Sequence, residues 1–167
     1  MYLRTEADKK LRAYKTGMQA ERRFAEIMQR RGWQTIKATE DENRFEKWDW
    51  RIIKDGFDIL VDVKALKALD RNNATQTKWL WLEFKNNAGK AGWLYSGKCQ
   101  FFAFERPDHF LLISKWRLQE IAESLVMPIE TDKPEQAQYC FYTRPKRQDL
   151  LACIRYKDIA AHAKWVD

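Results

Sequence analysis

A chain of 167 residues with 45% hydrophobic content is long enough for one domain with a substantial core, and it has no apolar run as long as a membrane span. The formal charge of +7 favours a polyanionic partner, although charged residues make up 33% of the chain and both signs are mixed, so many basic side chains are ordinary solvated surface. Cys99, Cys140 and Cys153 are widely spaced and His109 and His162 are isolated; this argues against a disulfide framework, a zinc cluster and histidine-based nucleophile systems, and makes a reducing, cytoplasmic setting the expectation.

The segment Met1 to Ala13 is charged rather than apolar, so no signal peptide is expected. From Tyr14 onward, Met18, Glu21, Ala25 and Met28 follow the steps of four, three, four and three that mark one helix face, with Phe24 and Ile27 widening the stripe and Gly32 ending it. Glu21 thus falls where the pattern asks for an apolar side chain. It serves either a buried site or an ion pair with a cation at the stripe's edge. Trp33 to Lys47 reads as a long connection.

Two apolar strands follow, Trp48 to Ile53 and Phe57 to Lys64, joined by Lys54-Asp55-Gly56 as a tight hairpin turn. Alternation puts Asp58, Leu60, Asp62 and Lys64 on one face of the second strand and Phe57, Ile59, Val61 and Val63 on the other. With apolar residues on both faces, the strand is expected to be central. A carboxylate there costs several kcal/mol of desolvation unless a metal ion or a paired lysine compensates it. Antiparallel pairing brings Asp49 near Asp62 and Lys64. Two hard carboxylates and the backbone carbonyl of Val63 suit Mg²⁺ or Mn²⁺. The plain alternatives are an Asp62–Lys64 ion pair with no chemistry and a surface role for Asp49 at its strand's start.

Two other acid-x-lysine triplets occur, Asp8-Lys9-Lys10 and Glu83-Phe84-Lys85. The second lies on a strand, Lys78 to Lys85, which has Leu80, Leu82 and Phe84 on one face and Trp79, Trp81, Glu83 and Lys85 on the other. Glu83 and Lys85 are therefore possible additions to the site, or its principal acid and lysine in a different register. The glycine-bearing stretch Asn86 to Lys98 reads as a substrate-facing loop. Lys90 and Lys98 would meet phosphates, and Trp93 or Tyr95 would stack on a base or pack beneath the sheet, core packing being the favoured reading of the Trp93 ring. Strands at Cys99 to Glu105, Phe110 to Ser114, Gln138 to Thr143 and Leu150 to Tyr156, helices at Lys115 to Leu125 and Lys157 to Trp165, a loop at Glu130 to Gln136 and a basic turn at Arg144 to Arg147 complete the reading.

From Lys15 to about Glu105 the chain resembles the PD-(D/E)xK phosphodiesterase superfamily, with Gly17-x-x-x-Glu21 on the first helix, Asp49 on the first core strand, Asp62-Val63-Lys64 on the second, then a third strand, a short helical segment and Cys99 to Glu105. Within that superfamily it looks most like small Holliday-junction resolvases and phage-borne nucleases. It departs from the pattern in having Trp48 rather than proline before Asp49, and in the length of the Trp33–Lys47 connection. The resemblance implies a restriction-endonuclease-like α/β fold with a mixed central sheet flanked by helices. It implies that Asp49 and Asp62 bind the metal, that Lys64 positions or activates the attacking water, and that Glu21 completes the metal shell.

The expectation is one domain over residues 1–167, with its core at 14–106 and a strand-and-helix extension at 107–167. Its function is expected to be Mg²⁺- or Mn²⁺-dependent DNA hydrolysis, with a homodimer if it acts on junctions. The competing expectation is a DNA-binding or assembly protein that keeps the fold without turnover.

Overall fold

The computed structural model describes residues 6–66 and 77–167. The first five residues of the charged N-terminal segment lie outside the described residues, as do the side chains of the Asp8-Lys9-Lys10 triplet.

Helix α1, Glu6–Arg30, ends where expected: Gly32 adopts φ 80°, a left-handed conformation that glycine takes without steric cost. Its buried face comprises Ala20, Phe24, Ala25, Ile27 and Met28, whereas Leu11, Tyr14 and Met18 are exposed. The expected stripe is therefore buried only in its C-terminal half, with Glu21 at the boundary.

Strand β1, Gln34–Lys37, lies inside the stretch expected to be a connection. It is a mostly exposed edge strand, so it carries no apolar alternation to announce it. Strands β2, Trp50–Lys54, and β3, Phe57–Lys64, form the expected hairpin. Asp55 and Gly56 both have positive φ, 50° and 83°, as the twist-matched two-residue hairpin turn requires.

Strand β4, Trp79–Lys85, corrects the single-sheet expectation, because it pairs with none of these. After it come β5, Phe101–Glu105, β6, Phe110–Ser114, helix α2, Lys115–Leu125, and β7, Met127–Thr131. Then follow β8, Cys140–Thr143, β9, Leu150–Arg155, a short α3, Tyr156–Ala160, and β10, Lys164–Val166. Among the described residues the strands make two mixed sheets, one in the order β1-β2-β3-β5-β6-β10 and one in the order β4-β9-β8-β7.

The closing helix expected to reach Trp165 stops at Ala160, and the chain instead pairs β10 against β6. Val166 is buried and the Trp165 ring stacks on His109, with centroids 4.2 Å apart. These tertiary contacts outweigh the helix-forming character of an alanine-rich stretch. The loop expected at Glu130 to Gln136 begins inside β7, another exposed edge strand.

The larger sheet has two covered faces. On one, Phe24, Ile27 and Met28 of α1 pack on Ile52, Val61, Val63, Ala103, Phe110 and Leu112. On the other, Phe102, Phe104, Leu111 and Ile113 meet Leu80 and Leu82 of the smaller sheet, together with Leu118 and Ile121 of α2. Full burial of each such side chain contributes about 1.5–3 kcal/mol. β3 is thus central, as its two apolar faces require. Among the described residues no helix is long and apolar enough to cross a membrane.

Candidate active site

The hairpin register sets the site. The last pair is Trp50 with Val61, and Asp49, just before β2, lies at the open end of the hairpin within the field of Asp62. The Asp49 amide still donates to the Val61 carbonyl (2.9 Å). At the next rung the Asp49 side chain replaces the strand, its Oδ2 accepting a 2.6 Å hydrogen bond from the Val63 amide. In an extended strand a residue's N–H and C=O point to the same edge, so the Val63 carbonyl is directed toward this carboxylate's side of β3.

Asp49 and Asp62 are both buried, at 7% and 8% exposure, and only Asp149 joins them among buried charged residues in the described part of the chain. Burial, and then the field of Asp62, push the Asp49 carboxyl up to about 7; Glu21 adds to this, while the Val63 amide and Lys64 oppose it.

Lys64 shares a face of β3 with Asp62, and its Nζ lies 2.7 Å from Asp62 Oδ2. The ammonium sits 4.8 Å from the centroid of the Trp93 ring, a cation–π contact that steadies it. Cys99 is buried in the same surroundings, its thiol pushed up to about 12 by burial and by Asp62.

Glu21 approaches from α1, across the other face of the sheet, and pairs with Lys37 at 3.5 Å. It reaches Asp49 through its field. Among the described residues no three Asp, Glu, His or Cys side chains converge closely enough to hold an ion by themselves. Two buried carboxylates beside a backbone carbonyl nevertheless form a hard-oxygen donor set. It fits a cation such as Mg²⁺ or Mn²⁺, which retains several of its waters.

Sequence reasoning missed Asn43. Its Nδ2 donates to Asp49 Oδ1 at 2.6 Å and to the Trp48 carbonyl at 3.2 Å, closing the far side of the carboxylate. Asn43 belongs to a π-helical turn, Glu42–Glu46. Thr39 and Glu42 brace its start, Glu42 Oε2 accepting from the Thr39 amide (2.8 Å) and hydroxyl (2.7 Å) while the Glu42 amide donates to Thr39 Oγ1 (3.3 Å). The Thr-x-x-Glu spacing of a capping box was the available signal.

The loop from Asn86 to Lys98 does not present the expected substrate face. Tyr95 donates its hydroxyl to Glu123 of α2 (2.8 Å) and packs on Phe84, so it is a strut between elements. Trp93 packs against Phe102 and Phe104, as favoured for that ring, and enters the site only by carrying Lys64. Lys98 is exposed but tied to Glu46 at 2.7 Å. Lys90 is exposed in a turn whose Gly89 abuts Gln148, at the end of the smaller sheet.

Glu83 and Lys85 leave the site altogether. They lie on β4, whose core-facing residues are Leu80 and Leu82, and Glu83 belongs to the electrostatic surroundings of Arg144. In the loop before β5, Lys115 of α2 donates to the Ser96 (2.7 Å) and Gly97 (2.9 Å) carbonyls and so fixes the approach to Cys99.

Compared with protein-family models, with curated proteins and with solved structures, the chain matches none.

Proposed function

We propose that the chain is a divalent-metal-dependent phosphodiesterase acting on DNA, with Asp49, Asp62 and Lys64 as its catalytic residues. The observation that carries this is the gathering of two buried, electrostatically interacting carboxylates at the open end of the β2–β3 hairpin, with a lysine ammonium 2.7 Å from one of them. Supporting the PD-(D/E)xK resemblance are the order of helix, hairpin and carboxylates, and the parallel pairing of β3 with β5.

Asp49 and Asp62, with the Val63 carbonyl, would hold a Mg²⁺ or Mn²⁺ ion, which when bound supplies Lewis acidity and positive charge at the phosphate. Asn43 and the Val63 amide orient the Asp49 carboxylate from two directions. Lys64 places a second positive charge where negative charge develops on the phosphate and attacking oxygens. Glu21 adds negative potential from the other face. The excess basic charge, +7 over the chain, favours a polyanionic substrate.

Cleavage of supercoiled, linear, single-stranded and four-way-junction DNA with Mg²⁺, Mn²⁺ and Ca²⁺ tests the reading, and a homodimer in solution would favour junctions. A second reading has an observation of its own: Asp62 is already neutralised by Lys64, and Glu21 by Lys37. On that reading the carboxylates are structural and the chain binds DNA, or serves in an assembly, without turnover. Absence of cleavage under every metal condition would favour it.

A further inference from the structure

The π-helical turn that holds Asp49 also carries Phe45, the most exposed large apolar side chain among the described residues, at 69%. A single exposed apolar residue ordinarily needs no explanation. The support beneath this one sets it apart. The turn's start is braced by Thr39 and Glu42, and its end is locked by Glu46, which accepts from Lys98 Nζ (2.7 Å) and Trp48 Nε1 (3.0 Å). The Lys98 amide donates to the Glu46 carbonyl (2.7 Å). Lys47 is held at φ 59°, a conformation side-chain-bearing residues rarely adopt. Gly97 fits against it so closely that a Cβ there would stand 2.5 Å from Lys47 Cβ and 2.8 Å from the Glu46 carbonyl oxygen.

π-Helical turns and left-handed non-glycine residues cluster at functional sites, where surrounding contacts hold an otherwise unfavourable backbone. Here those contacts present an aromatic ring to solvent. Phe45 is four residues from Asp49, so the two Cα atoms are at most about 15 Å apart. The Arg44 guanidinium lies 5.2 Å from the Phe45 ring centroid, and exposed Lys47 and Lys98 flank the turn. An aromatic face backed by guanidinium and ammonium groups suits a nucleobase whose phosphates are held by the basic side chains.

Resting on the phosphodiester reading of the Asp49–Asp62 site, we infer that Phe45 and Arg44 form a stacking platform for an unpaired base near the scissile phosphate. Bases inside a continuous duplex have no face free to stack on it. The preferred substrate is therefore single-stranded DNA or DNA with locally unpaired nucleotides.

The test is equilibrium binding in EDTA of a fluorescein-labelled oligothymidylate and of a mixed-sequence duplex of equal length. Phe45→Ala and Phe45→Leu should each weaken oligothymidylate binding about tenfold and leave duplex binding within about twofold, whereas Phe45→Trp keeps both. Leucine retains bulk but lacks a π face, so unchanged oligothymidylate binding by Phe45→Leu would overturn the inference, as would equal losses on both ligands. A wild-type protein that binds no oligothymidylate would also overturn it. The two readings fail separately. Phe45-dependent single-strand preference without cleavage under any metal condition would withdraw the phosphodiesterase and keep the platform, whereas metal-dependent cleavage with unchanged binding in the Phe45 variants would do the reverse.

Discussion

Asp49 Oδ2 accepts a hydrogen bond from the Val63 amide, so one carboxylate continues the β2–β3 ladder and is held within the field of Asp62. The site is therefore written into sheet pairing rather than hung on a loop, and the consequences of disturbing it can be stated in order.

The first consequence concerns pH. The folded-state pKa of Asp49 is raised to about 7, above the ~3.9 of an unfolded chain, so its contribution to stability is full below about pH 4 and is lost as the pH rises through 7. In EDTA, Asp49→Asn should be stabilised relative to wild type at about pH 8, and much less so at about pH 5. A divalent ion competes with the same proton, so Mn²⁺ should raise the wild-type unfolding temperature more at the higher pH. Thermal unfolding of both proteins across this range checks the sign; a gap that is flat with pH would contradict it.

Glu21 separates field from structure. Its pair with Lys37 spans 3.5 Å and Lys37 is half exposed, so removing it should cost less than about 1 kcal/mol. Glu21→Gln and Glu21→Leu are both expected to fold normally and to lose activity. Single-turnover cleavage decides the matter, since normal turnover in either variant would withdraw Glu21 from the site.

Asn43→Ala removes one of the two donors that orient Asp49. A hydrogen bond to a charged group contributes about 1.5–3 kcal/mol, so Mn²⁺ affinity is expected to fall about tenfold or more. Because Asn43 donates to a buried carboxylate, the unfolding temperature in EDTA should also fall, by several degrees. Titration calorimetry with Mn²⁺ provides the measurement.

Affinity for DNA should fall steeply with salt, because exposed side chains such as Arg44 and Lys47 displace counterions from phosphates. Anisotropy titrations at several salt concentrations measure the slope. A slope near zero would argue against backbone recognition.

Where local chemistry matches tertiary structure, the chain was readable. Asp55-Gly56 between two apolar runs defined the hairpin, and with it the meeting of Asp49 and Asp62. The boundary expected between Ser114 and Lys115 is where α2 begins, with Ser114 Oγ accepting from the Arg117 amide at 3.3 Å. The edge strands β1 and β7 were not readable, because exposed strands carry no apolar alternation. Nor was the division into two sheets, since Leu80 and Leu82 would alternate identically in either sheet. Tyr95 misled for a related reason: an aromatic residue in a glycine-bearing stretch reads the same whether it packs inward or faces a ligand, and only the usual burial of tryptophan favoured packing for Trp93. Asn43 escaped notice because its role depends on a π-helical turn that has no apolar period of its own.

The most direct test is metal-dependent cleavage by wild type and Asp62→Asn, side by side, on the same panel of supercoiled, single-stranded and four-way-junction DNA. Asp62→Asn removes one of the two buried carboxylates and leaves Lys64 in place, so it should retain the fold and bind DNA at least as well as wild type. With Mg²⁺ or Mn²⁺, wild type should cleave, and the variant should be slower by about a thousandfold, the equivalent of several kcal/mol of transition-state stabilisation. A folded Asp62→Asn protein that turns over at the wild-type rate would contradict the account.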